Sequence, residues 1–142
     1  MAGAEAHIHA ALMARVQSMS LTPALALHYP GVSDRSIDVS GEYGRVTHLP
    51  NVPDRWAIQG SQGMDRTGFL MIDLFTVITE GSYQVLATAR ADDIAAHFTA
   101  DLLLTSGGYT VQIEKSYPGI GRKDPNGTHW QTPVNVTYRG TA

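Results

Sequence analysis

The chain has 142 residues, enough for one domain with a proper buried core, and no cysteine, which excludes disulfides and thiolate-based zinc or redox chemistry. Its formal charge is −3, from 10 Lys and Arg against 13 Asp and Glu, so the basic stripe of a nucleic-acid binder is absent. Charged residues make up only 16% of the chain, against roughly 25% in average soluble domains, and such a surface favours self-association. No run approaches the ~20 apolar residues of a membrane span, and the opening MAGAEAHIHAALMARV lacks the basic-then-apolar order of a signal peptide. The lack of cysteine fits a cytosolic origin.

Ala4 to Met19 reads as a helix, because Ile8, Leu12, Val16 and Met19 recur at helical spacing with Ala11 beside them. Glu5 near its start complements the helix dipole. Leu21-Thr-Pro breaks it, and Ala24 to His28 is a short strand closed by Tyr29-Pro-Gly. Val32 to Glu42 reads as a long exposed loop, and Tyr43 to Leu49 as a strand. Arg55 to Gln59 is a further strand, joined through the flexible turn Gly60 to Asp65 to a longer one, which would make a hairpin.

That longer strand, Arg66 to Ile78, organises the chain. Leu70, Ile72, Leu74 and Ile78 share one face, while Phe69, Met71, Phe75 and Val77 share the other, with Asp73 among them. A strand apolar on both faces needs cover on both. One cover is the helix that follows; the other is a second sheet or a neighbouring subunit.

Ser82 is set to cap a helix from Tyr83 to Leu103. Ala87, Ala91, Ile94, Phe98 and Leu102 form its apolar stripe, Gln84, Thr88, Asp92, Asp93 and Thr99 lie off it, and Ser106-Gly-Gly stops it. Tyr109 to Tyr117 alternates as a strand with one wet face. Pro118 to Thr128 is a loop closed by the turn Asp-Pro-Asn-Gly. His129 to Arg139 is the last strand, and Pro133 inside it points to an edge position or a bulge. With no internal repeat, the order predicts an α+β fold over residues 1–142: a single domain in which a mainly antiparallel β-sheet carries two α-helices packed on one face.

No chemical motif stands out. His7 and His9 are two apart on a helix and diverge, so they read as an exposed, structurally idle pair and not as metal ligands. His28, His48, His97 and His129 are scattered singly. Asp92 and Asp93 diverge by roughly 100° on their helix and share no site. Asp73 interrupts an apolar face and needs a partner, and a structural salt bridge to Arg45, Arg55 or Arg139 is expected over a catalytic role. Gly119-Ile-Gly-Arg-Lys lacks the phosphate-loop spacing and precedes a strand, and no Ser lies in a nucleophile elbow. Trp56 and Trp130 read as core or interface anchors. No catalytic, metal or cofactor-binding residue is assigned, and no cofactor is expected.

The ordered set does resemble one family. The N-terminal helix is followed by Tyr43-Gly-Arg-Val-Thr-His-Leu-Pro, then by Thr67-Gly-Phe-Leu-Met-Ile-Asp-Leu-Phe. A helix with Ala91-Asp-Asp-Ile-Ala-Ala-His-Phe comes next, then Val111 to Glu114, a Pro-Gly loop and Trp130-Gln-Thr-Pro-Val-Asn-Val-Thr-Tyr-Arg. This succession resembles the tail terminator proteins of long-tailed bacteriophages, the lambda-type minor tail protein family. Residues 30–42 carry no part of the likeness. The resemblance implies a virion protein without enzymatic activity, made in the bacterial cytoplasm and placed at the head-proximal end of the tail. It implies a homo-oligomer, a six-subunit ring that caps the tail tube protein, stops its polymerisation and joins a head–tail connector or head-completion protein. DNA is then only cargo through the hole, and no membrane is involved. Sheet edges and the second helix would build the ring. The loops Val32 to Glu42, Asn51 to Asp65 and Pro118 to Thr128 would meet tube or connector, with Arg55, Trp56, Asp73, Arg122 and Lys123 as candidate protein-contact residues. The competing readings are another tail or head-completion subunit, or a small α+β ligand-binding protein with a pocket between sheet and helices.

Overall fold

The computed structural model describes residues 4–21, 25–29, 42–51, 54–55, 64–78, 83–125 and 127–141. Its elements are α1 (Ala4–Gln17), β1 (Ala26–His28), β2 (Tyr43–Pro50), β3 (Asp54–Arg55), β4 (Met64–Val77), α2 (Tyr83–His97), β5 (Leu103–Ser106), β6 (Tyr109–Pro118), β7 (Arg122–Lys123) and β8 (His129–Thr141). The strands form one sheet in the order β1-β2-β4-β8-β6-β5, with β3 added to β4 and β7 to β8. The fold is α+β, as the element order predicts. The sheet is mixed, however: β1 runs parallel to β2, and every other pair among the described residues is antiparallel.

β4 lies inside the sheet because its two apolar faces leave no wet side for an edge. It pairs with β2 from Tyr43↔Phe75 to Pro50↔Gly68, and with β8 from Arg66↔Gly140 to Val77↔His129. Its even-numbered side chains, Leu70, Ile72 and Leu74, are fully buried. They meet Ile8, Leu12 and Val16 of α1, Ala91 and Ile94 of α2, and Phe98 just beyond it. Val46, Val134, Val136 and Tyr138 extend this core along the same face of β2 and β8. Each such side chain contributes about 1.5–3 kcal/mol of burial. The helix stripes read from the sequence are those that pack. Ala87 and Ala91 bring α2 close to the sheet, and Gln84, Thr88, Asp92, Asp93 and Thr99 face outward.

Polar ties fix the helices. Arg66 of β4 donates to Glu5 of α1 at 2.8 Å. Arg15 donates twice, at 2.7 and 3.0 Å, to the His97 carbonyl, one of the orphan acceptors at the end of α2. Arg90 sits on the buried side of α2 and holds Glu42 at 2.6 and 3.0 Å. Glu42 is therefore a structural anchor rather than part of an exposed loop; residues 32–41 of that loop lie outside the described residues.

Four expectations are corrected. α2 ends at His97 rather than Leu103: the chain turns through Asp101 in the left-handed region (φ 67°) and Leu103–Ser106 pairs with Tyr109–Gln112. Sheet pairing here overrides the helical preference of leucine. Gly107 and Gly108 have φ of 56° and 85°, the two positive values of a type I′ hairpin, so they join strands and do not stop a helix. Pro133 occupies an inner strand, β8. Its carbonyl accepts from Gly119 N at 2.6 Å, so its missing N–H faces the gap between the end of β6 and β7, where no ladder bond is due. The sheet's bulge lies instead in β6, between Ile113 and Lys115. Finally, Met64 and Asp65, expected in the turn, belong to β4 and pair antiparallel with Arg55 and Asp54 of β3; residues 56–63, with the rest of the expected strand and turn, and the Ser82 cap lie outside the described residues.

Replacing Ile72 by Ala should cost about 2–5 kcal/mol, because the cavity opens between β2, β8 and both helices. Asp92→Asn on the outer side of α2 should stay within about 0.5 kcal/mol of wild type. Urea unfolding of the two variants checks both values.

Candidate assembly surface

Both helices cover the even face of β4, so the odd face is the one left for other contacts. At one end it closes on itself. Tyr43 stacks on Phe75 at 4.6 Å between centroids, His129 meets Tyr43 edge-on at 5.3 Å, and the Arg45 guanidinium lies 5.4 Å above the Phe75 ring. Towards the other end the face is open: Leu49 of β2 and its cross-strand neighbour Phe69 of β4 are 49% and 39% exposed. Tyr117 and Ile120 add exposed apolar surface beside them.

Asp73 lies between these regions. It is only 7% exposed, and its Oδ1 is buried without a hydrogen-bond partner. The salt bridge expected for it does not form among the described residues. Arg45 is its cross-strand neighbour but turns over Phe75, and Arg139 pairs with Thr67, about 20 Å along the sheet. Arg55 lies on β3 at the end of β4, and its side chain is outside the described set. Asp73 instead lines a recess of about 410 Å³ with Met71, Ile120, Arg122, Gln131, Pro133 and Asn135.

Of the contact residues read from the sequence, the fold thus brings Asp73 and Arg122 to one recess. Arg122 and Lys123 are exposed on β7, a short strand inside the segment expected to be a loop. Trp56 lies outside the described residues. Trp130 is half-buried and meets Tyr83 edge-on at 5.8 Å, which ties β8 to the start of α2. The turn after β7 is as expected: Asp124 Oδ1 accepts from Thr128 N at 3.0 Å and His129 N at 3.3 Å.

The histidines are more engaged than their spacing suggests. His7 and His9 are both half-buried and point to different partners. His7 Nδ1 is 3.2 Å from Ser106 Oγ, and its ring stacks on Tyr109. His9 Nδ1 is 2.9 Å from His48 Nδ1, and His48 Nε2 is 2.5 Å from the Tyr138 hydroxyl. Assigned from this network, Tyr138 donates to Nε2 of a neutral His48, which donates through Nδ1 to His9. The pair is therefore structural, not idle. The signal lay across the fold, in β2 and β8, and not along the helix. Among the described residues no three metal-ligating side chains cluster.

Burial holds His48 below the ordinary histidine range, and the neighbouring His9 adds to the shift while Glu5 opposes it. Burial also lowers His97, against the hydrogen bond its ring donates to the Arg15 carbonyl. Burial pushes the Tyr138 phenol far above its usual range.

A model of the family described as "Phage tail terminator protein" matches residues 7–138. One solved structure is similar with a TM-score of 0.74 and 21% identity, covering 95% of this chain and 94% of that one. A chain from a structure titled "Virion of native gene transfer agent (GTA) particle" is similar with a TM-score of 0.58 and 16% identity over 100% of both chains. At these identities the two structures establish the fold. No curated protein matches.

Two outcomes follow from the geometry. Asp73→Asn should leave the isolated protein as stable as wild type or more stable, by on the order of 1 kcal/mol, because it removes a buried charge with no cation bound to it. A loss of stability in urea unfolding would mean that a cation pairs with Asp73 in solution. The lowered His48 and His97 give the second. The unfolded chain protonates these rings near pH 6.5, whereas the folded rings stay neutral, so stability is full above about pH 6.5 and falls below it. Urea midpoints taken at about pH 7.5 and 5.5 should show that fall, and His48→Gln should flatten it.

Proposed function

This chain belongs to the family of phage tail terminator proteins, and we propose that it is a non-enzymatic tail subunit that forms a six-membered ring on the end of the tail tube. The ring stops tube growth and offers the surface to which a head–tail connector or head-completion protein binds. DNA passes through its opening as cargo. The family match carries this reading, together with one structural observation: the sheet face opposite both helices ends in exposed Leu49 and Phe69 and holds the unmet Asp73 oxygen, a surface suited to contact with protein. A fold shared with a chain of a gene transfer particle supports a place in a virion.

Subunits of a closed ring meet through two different patches, repeated around the axis. Each subunit then keeps its loop ends for the tube below and the connector above. Arg122 and Lys123 on β7 are exposed and basic, and are proposed contacts at one of those ends. Arg55 and Trp56, at and after β3, are proposed contacts at the other end by their place in the chain, since β3 pairs with the start of β4 while β7 pairs with β8 opposite its far end.

Electron microscopy of tube protein polymerised with and without this chain tests the reading. Wild type should yield short tubes that carry a terminal ring. Arg122→Glu with Lys123→Glu should fold normally and leave tubes uncapped or heads unjoined. Normal capping and joining by that variant would remove both residues from the contact surface. Long, uncapped tubes with wild type present would overturn the terminator reading itself.

A further inference from the structure

The two faces that the monomer leaves unused are complementary. The outer sheet face is apolar at Leu49 and Phe69 and carries several exposed cations. Its exposed charged side chains in register with β4 include Arg45, opposite Asp73, Arg139, opposite Thr67, Lys115, which reaches the same row through Thr137, and Arg122, which reaches it through Gln131; Glu114 is exposed at the β6 bulge beside Lys115. Asp73 itself is buried. The solvent side of α2 is the converse. Val85 and Leu86 are 71% and 53% exposed, and two turns later come Asp92 and Asp93, both exposed; Arg90, the cation of this helix, is turned inward onto Glu42.

The spacings also agree. Seven residues of α-helix place the acids about 10 Å beyond Val85 and Leu86. On the sheet, Arg45 is four residues along β2 from Leu49, about 13 Å. A helix laid along β2 and β4 can therefore set Val85 and Leu86 on Leu49 and Phe69 while its acids reach Arg45. The α2 and sheet faces of one molecule lie on opposite sides of the fold, so this match cannot be made within a single copy.

We infer that α2 of one copy docks on the outer face of the sheet of the next copy, and that this contact, repeated, is what closes the ring. The inference rests on the ring proposed above and names its occupant: a second copy of this chain. The contact is heterologous, patch to different patch, which is the kind that builds rings. It would cover the exposed Phe69 and Leu49, and it brings the side-chain amide of Gln84 to the face that holds the unmet oxygen of Asp73. Arg45 to acid contacts give it register and partner choice more than raw affinity.

Charge reversal with rescue tests it. Arg45→Glu alters one face, and Asp92→Lys with Asp93→Lys alters the other; circular dichroism confirms that each variant folds. Native mass spectrometry then follows ring formation in the presence of tube protein. Each one-sided variant should weaken assembly at least about tenfold, and a chain carrying both sets should regain it, since like charges are again opposed by unlike. Rings that form equally well in all variants would overturn the helix-on-sheet contact and leave the ring standing. Loss in the one-sided variants without rescue would also overturn it, pointing to the tube protein as the occupant of one face. A wild type that never forms a closed oligomer would overturn the ring reading, and this contact with it.

Discussion

The structure depends on a strand that is apolar on both sides but that both helices cover on one. β4 cannot be an edge, so β2 and β8 flank it along most of its length. It cannot face water on its even side, so α1 and α2 both pack there. Once two helices and the inner strands have settled on that side, little is left to finish the other. The aromatic group of Tyr43, Phe75 and His129 closes one end of the odd face, while Phe69 and Leu49 remain open at the opposite end. An exposed apolar stretch rimmed by cations is an ordinary mark of a protein-contact surface. In a chain of the tail terminator family, it is the surface proposed above for contact with the next subunit.

The polar contacts divide the labour differently. Glu5 with Arg66 is a partly exposed pair worth at most about 1 kcal/mol, and it sets position more than stability. Arg90 with Glu42 is far less exposed, so breaking it costs more than breaking the Glu5 pair. Arg15 satisfies the last carbonyl of α2, and His48 joins α1 to the sheet through His9 and Tyr138. Gly68 shows how tight this junction is: an added Cβ would lie 2.6 Å from the Tyr138 hydroxyl and 2.8 Å from the Leu49 carbonyl. These links lock both helices onto one face and keep the other one free of them.

Much of this was legible in the residues. Periodicity alone placed α1 and its stripe of Ile8, Leu12 and Val16, the two faces of β4, and the strands β6 and β8. What escaped it was set by groups distant in sequence. Leu102 and Leu103 read as helix because Leu102 continues the apolar stripe, and only pairing with β6 makes Leu103 the start of a strand. Pro133 read as an edge residue or a bulge, since no local pattern shows that β6 ends opposite it. Asp73 was recognised as the odd group on its face, but the aromatic ring that draws Arg45 away lies two residues further along β4. The His9, His48 and Tyr138 network joins three elements, and nothing in their spacing announces it. The family resemblance rested on the order of the elements, and that order is what the fold preserves.

The most direct test of the central claim is the mass of the purified protein in solution, by light scattering, alone and with tail tube protein. A discrete assembly of about six copies, either from the start or on addition of the tube protein, is the result expected of a subunit whose open sheet face is completed by its neighbour. A monomer or dimer indifferent to tube protein would contradict it and would leave that face without the partner assigned to it.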